Sequence, residues 1–193
     1  MDINQAIRER RSVRKYRPLA IPNQDIIDIL EAGTMAPSAI NLQPWYYVAI
    51  QSPEQMKRIL SIMAVTSEKI KPELEERFGD YPQLIVNTQH FISLLGGAPL
   101  CVLAFMNQPK FEQWKREAVI QSIAAGIENM VLTAQGKGIG SCWLSAPVEA
   151  GLSEDIQREF AREKGPMVAM VTFGYPDQVP QMPKRKTNRY IIL

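Results

Sequence analysis

Histidine is almost missing from this chain, with His90 its sole representative. One imidazole cannot assemble a metal centre by itself, and its neighbours Gln89 and Phe91 offer no relay, so a packed or solvent-facing role is expected. Cysteine is nearly as scarce. Cys101 and Cys142 lie in apolar stretches that read as strands, without metal-ligand spacing, and are expected to be reduced packing residues. Neither a metal site nor an acid–base carboxylate pair stands out. Long apolar runs are wanting too. None approaches the roughly 18 to 20 residues that cross a bilayer, and the first residues lack the apolar segment of a secretory leader, so a cytoplasmic location without a membrane partner is expected. No internal repeat or interdomain linker interrupts the 193 residues, which suit one domain over 1–193 with a sizeable core.

What the chain does have is local positive charge. Residues Arg8 to Arg17 carry six basic side chains and one acid, and Lys184 to Arg189 carry four more basic ones. The net charge is only +2, yet these two runs hold +9 between them, leaving −7 for the remainder. Such a concentration is suited to holding an anion.

Apolar spacing organises the rest. Asp2 can cap a short helix with Ile3, Ala6 and Ile7 on one face, which delivers the basic stretch at its end. A second helix starts after Pro22, carries Ile26, Ile27 and Leu30, and ends near Gly33. The proline-bracketed run from Ala36 to Trp45 must be an ordered loop, and Trp45 to Ile50 reads as a buried strand. Ser52-Pro53-Glu54-Gln55 is a well-formed start for a helix to about Met63. The stretch at about 65–97 is charged and helical, then ambiguous, and is a candidate cap over a pocket. Its charges from Glu68 to Arg77 read as a solvated helix face. Leu100 to Met106 is a continuous apolar strand.

The strongest helix signal runs from about Glu112 to Gln135, with Ala124-Ala125-Gly126 allowing another backbone close at its middle. A strand to Leu144 follows, then a turn at Ser145-Ala146-Pro147, a helix capped by Ser153 to about Lys164, and a strand from Met167 to Phe173. The final Tyr190-Ile191-Ile192-Leu193 needs a surface to cover it. Strands and helices do not alternate strictly, which favours α+β over a doubly wound sheet.

Three readings compete for the arginine cluster. Nucleic-acid binding would use its charge, but the remainder is net negative and no reader motif accompanies it. A solvated helix end with surface ion pairs is the bland alternative. In the third, arginine forks and a serine hydroxyl grip one small-molecule phosphate; Arg10, Ser12 and Arg14 alternate, so an extended segment would point all three to one side. Asn41 and Gln43 offer donors and acceptors to a ring edge, although turn chemistry alone favours capping within their loop.

The ordered series Arg10-Arg11-Ser12-Val13-Arg14-Lys15-Tyr16, Ala36 to Trp45, Gly138 to Leu144, Phe173-Gly174-Tyr175-Pro176 and Lys184-Arg185-Lys186 resembles the signatures of FMN-dependent nitroreductases. The resemblance implies a nitroreductase-like α+β fold, with a central, mostly antiparallel sheet flanked by helices, in an intertwined homodimer. It implies that Arg10, Ser12 and Arg14 contact the FMN phosphate, ribityl chain and pyrimidine edge, with Arg11 close by. Arg185, helped by Lys184, would complete the phosphate clamp. Pro37, Ser38, Ala39, Asn41 and Gln43 would come from the partner subunit, and Leu144 and Ser145 would lie against the ring system. NADH or NADPH would reduce the flavin, and a nitroaromatic, quinone or related small acceptor would reoxidise it in a ping-pong cycle without a dedicated protein acid or base. A flavin-binding sensor or store, or a specialised dehalogenase or flavin reductase of the same family, is the alternative.

Overall fold

The computed structural model describes residues 1–108, 110 and 112–193. Four strands, β1 (Trp45–Ile50), β2 (Leu100–Met106), β3 (Gly140–Leu144) and β4 (Met167–Gly174), form one sheet in the order β1-β2-β4-β3. Every neighbouring pair is antiparallel, as the α+β expectation required.

β2 is central and buried along its whole length because helices cover both faces of the sheet. Its side chains divide by parity. Leu100, Val102, Ala104 and Met106 pack with α2 (Asn23–Thr34) and α6 (Gln113–Gly136), whereas Cys101, Leu103 and Phe105 pack with α3 (Pro53–Lys69), α4 (Lys71–Phe78), α5 (Pro82–Leu94) and α8 (Ser153–Phe160). On β4, a register shift opposite Ala104 and Phe105 inserts an extra residue. Met167 therefore joins the α3–α5 side although Ala169 faces α6.

α2 and α6 cross closely. A Cβ on Gly126 would lie 2.7 Å from the Gly33 carbonyl oxygen and even nearer the Tyr47 hydroxyl, so the expected tight backbone approach is present. Asn129 Nδ2 donates to the Ala32 carbonyl at 3.1 Å, and Lys137 Nζ bridges Asp25 and Asp28 at the far end.

Several local expectations needed correction. β1 is an edge strand buried only at its ends, with Tyr46 exposed. α3 runs past Met63 to Lys69 because Thr66 and Ser67 are buried, and Ser67 exchanges hydrogen bonds with Gln89 of α5. The expected turn at Ser145 opens a short helix, α7 (Ala146–Glu149), with Pro147 in its first turn. Ser153 is not an N-cap, because its hydroxyl donates instead to the Met167 carbonyl. On α1 (Ile3–Glu9) the Asp2 cap forms at 2.9 Å, but only Ala6 is buried, leaving Ile3 and Ile7 exposed. Ile29 is buried on α2 while Ile27 is exposed. The charges from Glu68 to Arg77 are solvated as expected. Among the described residues, no helix is long and apolar enough to cross a membrane.

Both cysteines are free and buried. Burial pushes the Cys101 thiol up to about 12 and raises that of Cys142 as well, although the Arg14 guanidinium opposes the second shift. The native chain thus keeps protons that an unfolded chain releases once pH passes the ordinary thiol range. The stability these thiols contribute is full below that range and declines above it, by up to about 1.4 kcal/mol per pH unit for each thiol. Neither thiol should react with an aromatic disulfide reagent until the protein unfolds, and denaturant midpoints should fall from pH 8 to 10. Rapid native-state labelling would contradict this.

Candidate functional site

α1 ends at Arg10, where the backbone turns extended (φ −54°, ψ 131°), and the following segment is laid along the free side of β3. Ser12 forms a parallel bridge with Ser141, and Val13 N donates to the Ser141 carbonyl at 2.9 Å. Farther on, Tyr16 N donates to Gly96 O (3.1 Å), Arg17 N to Tyr175 O (2.9 Å) and Asp177 N to Lys15 O (2.9 Å).

Tyr16 anchors this segment. Its hydroxyl lies 2.7 Å from the Val13 carbonyl oxygen and 2.8 Å from Thr172 Oγ1, and burial drives its pKa far upward, so it stays a protonated donor. Its ring packs against Gly174, where a Cβ would come within 2.8 Å of it. Lys15 pairs with Asp177 at 2.6 Å and holds that carboxyl below its ordinary range.

Arg14 reaches a cleft of about 990 Å³ between β3 and the α4–α5 helices. Its guanidinium carbon lies 5.9 Å from the centre of the Phe91 ring, within reach of a weak cation–π contact. Its main chain is set by Gly96 (φ +61°), where a Cβ would lie 2.8 Å from the Arg14 carbonyl carbon and nearer still to its oxygen. Leu74, Phe78 and Phe91 line one wall, and Trp143, Leu144 and Ser145 the other. Ser145 Oγ donates to Glu149 Oε1 at 2.6 Å. The cleft therefore has largely apolar walls with Arg14, Lys15 and Arg77 contributing positive charge to its lining, an arrangement for a planar, partly anionic ligand.

Thus Arg14, Leu144 and Ser145 share one cleft. Ser12 lies beside it, bridged to Ser141, the neighbour of Cys142 on the cleft wall. Arg10 pairs with Glu128 of α6 at 3.5 Å, while Arg11 Nη1 folds back onto the Arg8 and Arg10 carbonyls, both at 2.7 Å.

Pro37, Ser38, Ala39, Asn41 and Gln43 lie on the loop joining α2 to β1 and do not line this cleft. Nor do Lys184 and Arg185, which are exposed on the C-terminal segment. The loop is unusual: Gln43 N donates to Ser38 Oγ (3.0 Å), Gln43 Nε2 donates to Asn41 Oδ1 (3.0 Å), and Ile40 is 77% exposed.

Gly96, Phe91, Trp143 and Glu149 were not singled out from the sequence as site residues. Trp143 lies within the Gly138 to Leu144 motif, and the Gly96-Gly97 pair reads from the sequence as a chain breaker. His90 is exposed and lies on the cleft rim. Among the described residues, no group of three or more His, Cys, Asp or Glu could hold a metal ion.

Comparison with known proteins places the fold. Bacillus subtilis YfhC, provisionally named an NAD(P)H nitroreductase, is 28% identical over 95% of this chain and 89% of its own. A nitroreductase with bound FMN from Bacteroides fragilis superposes with a TM-score of 0.76 at 25% identity, covering 100% of this chain and 99% of that one. A BluB-like flavoprotein from Clostridium difficile gives 0.74 at 25% identity, covering 96% and 95% of the two chains. The model of the nitroreductase family matches residues 7–175, from the arginine segment to the end of β4, and the chain belongs to that family.

Proposed function

We propose that this chain is an FMN-dependent oxidoreductase that moves electrons from NADH or NADPH to a nitroaromatic, a quinone or a related small oxidised acceptor. The observation that carries this reading is the convergence of Arg14, Leu144 and Ser145 on one apolar cleft beside the arginine segment. These residues fit the cofactor. A phosphate dianion needs fixed cations, and Arg10, Ser12 and Arg14 sit on a backbone pinned to β3 and β4, with Arg11 beside them. A flat ring needs apolar walls, which Phe91, Trp143 and Leu144 supply.

FMN, when bound, would supply two-electron chemistry that no side chain here can perform. The protein's part is to bind, orient and polarise. Arg14 would place positive charge beside a ring that gathers negative charge on reduction. Lys184 and Arg185 would close the phosphate clamp from the other end of the chain.

The working unit in this reading is a homodimer with a flavin at each interface. The loop carrying Pro37, Ser38, Ala39, Asn41 and Gln43 does not line the Arg14 cleft of its own chain, and its outward Ile40 suits insertion into a second copy. The uncovered tail from Tyr190 to Leu193 calls for the same partner. Residues at about 65–97, which include α4 and α5, would form the cap that shapes the acceptor site within a single domain over 1–193.

The test is direct. The purified protein, loaded with FMN and mixed anaerobically with NADH or NADPH, should bleach, and a quinone or nitroaromatic should restore the colour. Bleaching with neither donor would favour a flavin store or sensor. Arg14→Ala should weaken FMN retention about tenfold or slow its reduction by a similar factor, as expected when one charge-assisted contact is lost. Wild-type flavin content together with a wild-type reduction rate would remove Arg14 from the site.

A further inference from the structure

The loop between α2 and β1 holds a conformation that its own residues disfavour. Ile40, Asn41 and Gln43 have φ values of 45°, 54° and 45°, and a β-branched residue in the left-handed region is a genuine outlier. Such strain persists only where surrounding groups over-determine the backbone, and it gathers at ligand clamps. Two residues outside the loop supply the restraint. Ser122, buried on α6, accepts the Ala39 N–H at 3.2 Å while its own hydroxyl donates to the Ala118 carbonyl at 2.6 Å. Asn107, just beyond β2, donates from its backbone to Pro44 O (2.8 Å) and from Nδ2 to Gln43 O (3.2 Å). The strained residues thus lie between two clamps, one on a core helix and one at the end of the central strand.

We propose that Ser122 and Asn107 are positioning residues that keep residues 38–43 in a ligand-ready form. They fix the backbone beneath Asn41 and Gln43, whose side chains orient one another through the Gln43 Nε2 to Asn41 Oδ1 bond. Asn41 Nδ2 and Gln43 Oε1 then remain as donor and acceptor for a ring edge that offers both. Without the clamps the loop relaxes toward ordinary φ values, and the binding-competent fraction falls, lowering apparent affinity in proportion. This inference rests on the FMN reading, and its test separates the two.

The experiment titrates FMN into flavin-free wild type, Ser122→Ala, Asn107→Ala and Ser122→Thr, following flavin fluorescence. It also records the midpoint potential of the bound flavin and the urea midpoint of each flavin-free protein. Ser122→Ala and Asn107→Ala should each weaken FMN binding about tenfold and shift the potential. The urea midpoint of flavin-free Ser122→Ala should hardly move, because relief of strain offsets the lost hydrogen bond. Ser122→Thr, which keeps the hydroxyl, should restore affinity and potential. A fall in urea midpoint with unchanged affinity and potential would reduce both residues to ordinary packing and overturn the inference. Failure of the wild type itself to bind FMN would instead overturn the FMN reading, and this inference with it.

Discussion

Gly96→Ala should cost about 3 kcal/mol of stability and release the flavin, since it combines a left-handed φ with an overlap that cannot be relieved by a side-chain rotation. The new Cβ would lie 2.8 Å from the Arg14 carbonyl carbon, which is backbone, on a segment that also bonds to Gly96 through Tyr16 N. Either Gly96 or the whole run from Arg14 to Tyr16 must move. The run is tied to β3, Tyr175 and Asp177, so the site and the fold should suffer together. Denaturant melts and the flavin-to-protein ratio measure the two effects. A variant that melts normally and stays yellow would show that the arginine segment does not depend on its contact with Gly96.

Gly126→Ala should destabilise the protein by about 2 kcal/mol, although alanine is the better helix former by about 1 kcal/mol. Propensity and packing predict opposite signs here, which makes the measurement decisive. Packing should win because the added methyl would sit 2.7 Å from the Gly33 carbonyl oxygen, a backbone atom of α2. The still closer obstacle, the Tyr47 hydroxyl, is the end of a side chain and can be deleted. Tyr47→Phe in the Gly126→Ala background should therefore recover part of the loss, while Tyr47→Phe alone forfeits a long hydrogen bond to Gly33 O at 3.4 Å. Full additivity of the two changes would mean that the methyl never meets the ring.

The strongest sequence signals were those set by burial on two faces. β2 and α6 were legible almost to the residue, because a run such as Leu100 to Met106 has no polar position to confuse its reading. Capping at Asp2 and Ser52 was equally plain, both being side chains that accept a nearby N–H. α3 was read as ending near Met63, with a separate helical stretch from about 65; what makes it continuous to Lys69 is burial of Thr66 and Ser67 against α5, a contact between segments that local patterning does not contain.

Ser153 shows the same limit in reverse. A serine before an acidic turn resembles a cap, but a strand carbonyl at Met167 captured its hydroxyl. For the site, the arginine series stood out as a motif, but only its Arg14 reaches the cleft that Leu144 and Ser145 line, because the segment is bridged to β3 at Ser141. The left-handed run at Ile40, Asn41 and Gln43 was invisible, since isoleucine argues against it and the restraint comes from Ser122 and Asn107, distant in the chain.

The pairing of the arginine segment with Gly96, Ser141, Tyr175 and Asp177 also bears on how the molecule is made. Translation delivers residues 10–17 to the ribosome exit long before any of those partners exists, and contacts this remote in sequence close late. The nascent chain therefore carries its most cationic stretch without its full set of partners until Asp177 has emerged. The arginine segment is synthesised before the partners that hold it and is docked after them.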